Sequence, residues 1–142
     1  MSQDRIDLDT SLGYLLKEAS SALRVAMEDV LRPLGMTVTH YSCLELLSQR
    51  PGLSNSELAR GAFVTRQSMN VLLQALERDG YVTRAAPVGR ALPTRLTESG
   101  QRSLAAASAA VRGVEARMLG GLTAGEQTAA FHALQAMVRA LR

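Results

Sequence analysis

Residues 54–84 read SNSELARGAFVTRQSMNVLLQALERDGYVTR, a stretch in which two helical patterns flank a short turn. Ser54 and Glu57 have the spacing of a capping box, in which the two residues satisfy free backbone donors of a helix's first turn reciprocally. Thr65 is placed to cap a second helix, and Gly80 is typical of the residue that ends one. A short helix, a tight turn and a longer amphipathic helix predict a helix-turn-helix.

The second helix, predicted from Arg66 to about Asp79, has two chemically distinct faces. One face has the i, i+3, i+4, i+7 spacing of a buried helix side, with Met69, Leu72, Leu73 and Leu76. The other face carries amides, arginines and one valine, where an ordinary solvated face favours mixed Glu and Lys. Amides pair with adenine, Arg pairs with guanine, and an aliphatic group meets the thymine methyl. The face predicted to read bases comprises Arg66, Gln67, Ser68, Asn70, Val71, Gln74 and Arg78.

A small β-hairpin is predicted directly after this helix. Residues 81–84 are β-rich, and Pro and Gly residues punctuate the chain before residues 94–96. No acid occurs between residues 80 and 97. Such a wing can lay an arginine into the electronegative minor groove; a solvated turn whose arginines only maintain solubility is the alternative. The predicted wing contacts are Arg84, Arg90 at the loop tip, and Arg95.

Positive charge is concentrated in the same part of the chain. The net charge is only +3, but residues 50–102 carry eight arginines and four acids, whereas residues 1–49 carry four basic and seven acidic groups. Phosphate contacts position a protein on the duplex without reading sequence. Ser54 and Arg60 are predicted to make such contacts, and Thr65 is counted with the DNA-contacting residues. The charge distribution favours double-stranded DNA as the partner.

The flanking segments predict further helices with more apolar surface than a small helix-turn-helix core can cover. Helices are predicted at about residues 11–32, 39–49 and 97–119, and a second capping box at Thr123 and Glu126 begins a last helix. A second copy of the chain would bury the excess apolar surface, and a two-fold dimer suits a palindromic site. The sequence therefore predicts a homodimer; packing of these helices within one chain is the alternative.

A set of short motifs between residues 58 and 100 matches a known family. The motifs are Leu58–Ala59, Val64–Thr65, Leu76–Glu77, Gly80–Val82 with Arg84, and Leu96–Thr97 with Gly100. They resemble the MarR family of bacterial winged helix-turn-helix regulators, and the resemblance covers nearly the whole chain. It implies a mainly α single domain over residues 1–142 with a small β-hairpin wing. The winged helix-turn-helix lobe is expected at about residues 36–100, and N- and C-terminal dimerisation helices at about residues 8–32 and 101–142.

The resemblance also implies a function. A member of this family is expected to be a transcription regulator, here a repressor, that binds a pseudo-palindromic operator as a homodimer and is released by a small ligand or an oxidant. One departure affects the wing: the family usually has Asp two residues before its key arginine, whereas Val88 precedes Arg90 here. A winged-helix protein-protein interaction module without DNA readout is the alternative function, and the outward amide and arginine face argues against it.

The residues expected to serve an effector are few. A small aromatic or anionic ligand is expected between the dimer helices and the DNA-binding lobe, as in related proteins, with Tyr14, His40 and Tyr41 lining the crevice. A regulator without a ligand is the alternative. Cys43 invites a redox interpretation, but it stands among apolar residues of the second predicted helix, where a buried cysteine is usually inert. Core packing is therefore predicted for Cys43.

Several other classes of function lack support in the sequence. The two histidines, His40 and His132, are far apart and have no Cys/His cluster beside them, so neither a metal site nor a cofactor is expected. No Gly-rich phosphate loop or nucleophile elbow indicates an enzyme. No apolar run approaches the roughly 20 residues that span a bilayer, and the polar N-terminus lacks the features of a signal peptide. A cytoplasmic protein is expected.

Overall fold

Six α-helices and one two-stranded hairpin make up the part of the chain that the computed structural model describes, residues 4–84 and 94–142. A 3-10 turn at Arg32–Leu34 follows the first helix. The other elements, in chain order, are α1 (Leu12–Leu31), α2 (Val38–Gln49), α3 (Asn55–Gly61), α4 (Arg66–Arg78), β1 (Val82–Arg84), β2 (Thr94–Leu96), α5 (Glu98–Leu119) and α6 (Ala124–Leu141). The mainly helical architecture with a small antiparallel hairpin is the one that the sequence predicts.

A serine or threonine caps the N-terminus of these helices by accepting a backbone N–H of the first turn. The two predicted capping boxes are confirmed: Glu57 and Glu126 accept the backbone N–H of their cap residues at 3.0 and 2.9 Å. α2 begins at Val38, one residue earlier than predicted, because Thr37 supplies its cap. The capping residues are Ser11, Thr37, Ser54, Thr65, Thr97 and Thr123.

The chain passes from α4 into the hairpin through a left-handed glycine. Gly80 has φ 84°, a conformation that glycine adopts without the steric cost of a Cβ. Its N–H donates to Glu77 O at 3.1 Å, and the N–H of Tyr81 donates to Leu76 O at 2.9 Å. These bonds satisfy carbonyls at the end of α4. The predicted helix end at Gly80 is therefore confirmed.

The first turn of α5 is locked to the segment that links α4 with β1. The N–H of Thr97 donates to Tyr81 O at 3.0 Å, and Thr97 Oγ1 donates to Gly80 O at 2.6 Å. Gly100 is buried directly against the Tyr81 carbonyl, and a Cβ added to Gly100 would collide with that oxygen. The hairpin, the end of α4 and the start of α5 consequently form one rigid junction.

The hydrophobic core lies where α2, α3, α4 and β1 meet the end of α1 and the first half of α5. The predicted inward face of α4 is confirmed, since Met69 and Leu73 are fully buried and Leu76 is 2% exposed. Full burial of such a side chain contributes roughly 1.5–3 kcal/mol, which holds α4 in place with its opposite face outward. The largest fully buried side chains are Leu31, Cys43, Leu44, Leu58, Met69, Leu73, Leu76 and Val82.

The outer helices α1 and α6 leave large apolar side chains uncovered. α6 buries none of its residues, and its Phe131 and Leu134 are 62% and 45% exposed. In α1, Leu12 and Leu15 are also exposed, while the later part of the helix packs along α5. Within the described ranges, none of the helices is both long and apolar enough to cross a membrane.

Candidate nucleic-acid interface

α3 and α4 are joined by a tight turn that places the start of α4 at the surface. The N–H of Val64 donates back to Ala59 O at 3.0 Å, and Thr65 then caps α4. Phe63 lies in the left-handed region, with φ 60°, and its side chain is 85% exposed. The left-handed conformation costs a residue with a Cβ roughly 1–2 kcal/mol. The sequence does not mark Phe63 as special, because periodicity carries no information about backbone dihedrals in a turn.

The outward face of α4 presents most of the predicted base-reading side chains to solvent. Val71 is 62% exposed in the middle of this face, with polar side chains before and after it. The free N–H groups and the dipole at the start of a helix also favour a negatively charged partner. The predicted readers that are exposed are Arg66, Gln67, Ser68, Val71, Gln74 and Arg78.

The hydroxyl groups of Thr65 and Ser68 are coupled at the start of α4. Thr65 Oγ1 accepts the backbone N–H of Ser68 at 3.0 Å and donates its proton to Ser68 Oγ at 2.9 Å. A hydroxyl has one proton to donate, so Thr65 has none left for a phosphate. Ser68 keeps its own proton, and its exposed hydroxyl is the donor that this pair offers to DNA.

Asn70 differs from the other predicted readers because its amide is held inside the helix pair. It is half-buried, and its Oδ1 accepts a hydrogen bond from Asn55 Nδ2 at 2.8 Å. Asn55 is the first residue of α3 and was not identified from the sequence. Its partner lies 15 residues away, and only the crossing of α3 and α4 brings the two amides together.

Ser54 and Arg60 lie on the exposed side of α3. Ser54 Oγ accepts the N–H of Glu57 at 3.1 Å, and its hydroxyl also interacts with the Glu57 carboxylate. The hydrogen bond from the Ser54 backbone to the Glu57 carboxylate, with a contribution from nearby Arg60, lowers the pKa of Glu57. The capping box therefore stays intact at neutral pH.

The wing arginines occupy different environments. Arg95, in the middle of β2 opposite Thr83, is exposed. Arg84, opposite Thr94 at the end of β1, is half-buried, and its Nε and Nη2 are buried without a hydrogen-bond partner among the described residues. Arg90 lies outside the described residues.

Among the described residues, the groove that Tyr14 borders includes neither of the other two residues predicted to serve an effector. Tyr14 borders an open groove of about 690 Å³ on α1, whose lining among the described residues includes Lys17 and Arg117 but neither His40 nor Tyr41. His40 makes an edge-to-face contact with Tyr81, with 5.5 Å between ring centroids. Burial lowers the pKa of His40, although nearby Asp79 acts in the opposite direction. No group of three His, Cys, Asp or Glu suited to a metal ion occurs among residues 4–84 and 94–142.

Tyr41 lies at the junction between α2 and α5, beside a polar contact that joins them. Ser108 Oγ of α5 donates to Glu45 Oε2 of α2 at 2.8 Å, and Gln49 Nε2 donates to Glu45 Oε1 at 2.6 Å. Burial raises the pKa of Tyr41, and the Glu45 carboxylate raises it further. Tyr41 is therefore a neutral phenol where α2 packs against the long helix α5.

Cys43 is a buried core residue, as predicted, and we expect it to resist oxidants and thiol reagents. Its side chain is fully buried, and that burial raises the pKa of the thiol to about 12. Only the thiolate is nucleophilic, so at about pH 8 the native protein should react at least about tenfold more slowly than the same chain in denaturant. Equal rates of labelling with a maleimide in the two states, followed by mass spectrometry, would contradict this expectation.

The chain matches proteins of known class along most of its length. A family model described as the MarR family matches residues 34–91. The chain is 48% identical over 121 residues to the HTH-type transcriptional repressor Rv2887 of Mycobacterium tuberculosis, a match that covers 84% of this chain and 87% of that protein.

Two solved structures of the same M. tuberculosis protein are also similar. The complex of Rv2887 with DNA has a TM-score of 0.73 and 42% identity, covering 91% of this chain and 98% of the other. The complex of Rv2887 with salicylic acid has a TM-score of 0.76 and 45% identity, covering 91% of this chain and 97% of the other.

Proposed function

Because the chain belongs to the MarR family, we propose that it is a sequence-specific transcriptional repressor that binds double-stranded DNA. The observation that carries the proposal is the outward face of α4, where amides, arginines and Val71 are exposed opposite a fully buried side. This chemistry suits base edges in the major groove. The similar Rv2887 protein is a repressor with a structure in complex with DNA. The protein acts in the cytoplasm.

The proposed DNA contacts fall into base contacts, phosphate contacts and wing contacts, according to the chemistry of each side chain. Arg66, Gln67, Val71 and Gln74 read base edges, and Asn70 reads with its amide oxygen engaged by Asn55. The hydroxyls of Ser54 and Ser68 and the guanidinium of Arg60 contact phosphates, where they position the protein. Thr65 acts through Ser68 and the cap of α4. Arg95, Arg84 and Arg90 belong to the wing, with Arg90 entering the minor groove.

The repressor works as a homodimer on a pseudo-palindromic operator. The support is the apolar surface that one chain leaves open on α1 and α6, because large exposed apolar patches are typical of interaction surfaces. In this arrangement residues 36–100 form the DNA-binding lobe, and residues 8–32 and 101–142 form the dimerisation region. Two-fold symmetry then presents the two α4 helices to successive major grooves about 34 Å apart.

A small aromatic carboxylate is the proposed effector. The support is the complex of the similar Rv2887 protein with salicylic acid. Tyr41 lies beside the Glu45–Ser108 contact that joins α2 to α5, so a ligand there would affect how the lobe sits on the dimer. His40 faces the start of the hairpin through Tyr81, and Tyr14 would join the same site only across a dimer interface.

A salt titration on selected DNA tests the function. Genomic fragments that the protein retains provide the operator, and a random duplex of equal length provides the comparison. We expect affinity to fall steeply with salt, because each neutralised phosphate contributes about −0.9 to the slope of log K against log salt. Arg60→Ala should weaken binding to all sequences alike and reduce the magnitude of that slope by about 1.

The control variant is Arg112→Ala, which removes an exposed arginine of α5 outside the DNA-binding lobe. It should leave the salt slope unchanged. If the wild-type protein has no affinity for either duplex even at low ionic strength, the proposed function is wrong and a protein-interaction module becomes the better interpretation.

A further inference from the structure

Two asparagines form a side-chain link between the helices of the helix-turn-helix. Asn55 Nδ2, in the first turn of α3, donates to Asn70 Oδ1, in the middle of α4, at 2.8 Å. Both side chains are half-buried. Because Met69 beside Asn70 is fully buried in the core, the backbone that carries the Asn70 amide is held rigidly.

The link divides the hydrogen-bonding capacity of Asn70. An asparagine amide has one acceptor oxygen and an NH₂ group with two donors. The oxygen of Asn70 is engaged by Asn55, while its Nδ2 has no partner among the described residues and is not buried. The polar side-chain atom of Asn70 that remains accessible is therefore Nδ2, a hydrogen-bond donor.

A donor alone limits which base Asn70 can recognise. Bidentate pairing with adenine needs an acceptor for the N6 amino group as well as a donor for N7. The keto bases present an acceptor in the major groove, O6 of guanine and O4 of thymine, whereas cytosine presents the amino donor N4. Adenine also presents the acceptor N7, but the N6 amino group beside it is a second donor and repels a donor-only amide, whereas guanine presents N7 and O6 together. An inward-facing oxygen on Asn70 thus favours guanine or thymine over the amino bases.

We propose that Asn55 is a specificity-determining residue, which fixes the amide of Asn70 so that Asn70 selects a keto base in the operator. Asn55 is a positioning residue in this scheme, because it acts through Asn70. The inference rests on the proposed function, since it requires that α4 reads DNA.

The test measures base preference at each operator position, by selection from a randomised duplex library, for full-length variants. Asn70→Ala first identifies the position that Asn70 reads, as the one whose preference flattens. At that position the wild type should favour G or T by between about 2-fold and 10-fold, the range expected for one hydrogen bond. Asn55→Asp offers only acceptors, so it should draw the Asn70 NH₂ inward, turn the oxygen outward and shift the preference to A or C.

Two further variants separate this effect from charge and stability. Ser56→Asp adds the same charge at the next residue of α3, so it should lower overall affinity while preserving the keto preference. Asn55→Ala breaks the link without adding charge and frees the Asn70 oxygen, so it should abolish the keto preference and admit adenine even if Asn55→Asp fails to fold. Thermal unfolding of each variant reports whether the fold is retained.

The possible failures are distinguishable. A preference that stays keto in both Asn55 variants, in proteins that still select an operator, overturns the inference and leaves the proposed function intact. The inference also fails if Asn70→Ala changes no position. A wild-type protein that selects no sequence overturns the proposed function together with this inference.

Discussion

Leu134→Glu is expected to convert the dimer to a monomer and to weaken operator binding by at least about 100-fold. Leu134 is 45% exposed in the single chain, on a helix that buries none of its residues. A partner chain that covers this face would have to bury the new carboxylate, which is unfavourable without a compensating charge. A monomer holds one half-site at a time and loses the gain from linked binding, which is typically 10²–10⁴.

The measurement is molecular mass by light scattering, alongside operator affinity. The wild type should have about twice the chain mass of 15.2 kDa, and the variant should have the chain mass. His132→Glu is the matched control, because a helix turns through about 100° per residue and His132 therefore faces nearly away from Leu134. If both variants remain dimeric, the exposed face of α6 is not the dimer interface.

Gly100→Ala is expected to destabilise the fold by about 3 kcal/mol and to lower Tm by about 10 °C. The new methyl group would collide with the Tyr81 carbonyl oxygen, which is backbone and cannot rotate away. The same carbonyl accepts the N–H of Thr97 at 3.0 Å. Relief of the clash must therefore separate α5 from the hairpin or break the start of the helix.

Gly113→Ala is the control for this prediction, because it places the same methyl group on the same helix. Nothing lies within 4 Å of a Cβ at Gly113. Replacing a helical glycine with alanine typically adds about 0.5–1 kcal/mol of stability. Thermal or urea unfolding measures the stability of both variants. Equal stabilities for the two would show that the close approach at Gly100 is not structurally required.

The sequence predicts those features of this protein that depend on residues close together along the chain. Helix caps and faces are of this kind, because a cap bonds within one turn and a face repeats every three or four residues. Both predicted capping boxes and the buried side of α4 are confirmed on this basis. The predicted helix boundaries differ from the structure by only a residue or so for the same reason.

Other features depend on how distant segments cross, and no periodicity specifies them. The Asn55–Asn70 hydrogen bond needs the geometry between α3 and α4, so Asn70 was predicted as an unrestricted reader. The half-burial of Arg84 likewise follows from its surroundings in space rather than from its position in a basic stretch. In the proposed homodimer a second chain covers α1 and α6, and a single sequence indicates this only as excess apolar surface.

The rigid junction at the start of α5 makes that helix a lever. α5 has 22 residues, which corresponds to a length of about 33 Å. Its first turn is fixed to the segment that ends α4, while its other end leads into α6. A tilt of about 5° at the far end therefore moves the α4 end by roughly 3 Å over that length. In a symmetric pair the two displacements add. A small angular change between the subunits therefore changes the distance between the two α4 helices by more than the narrow range of lengths over which a hydrogen bond forms.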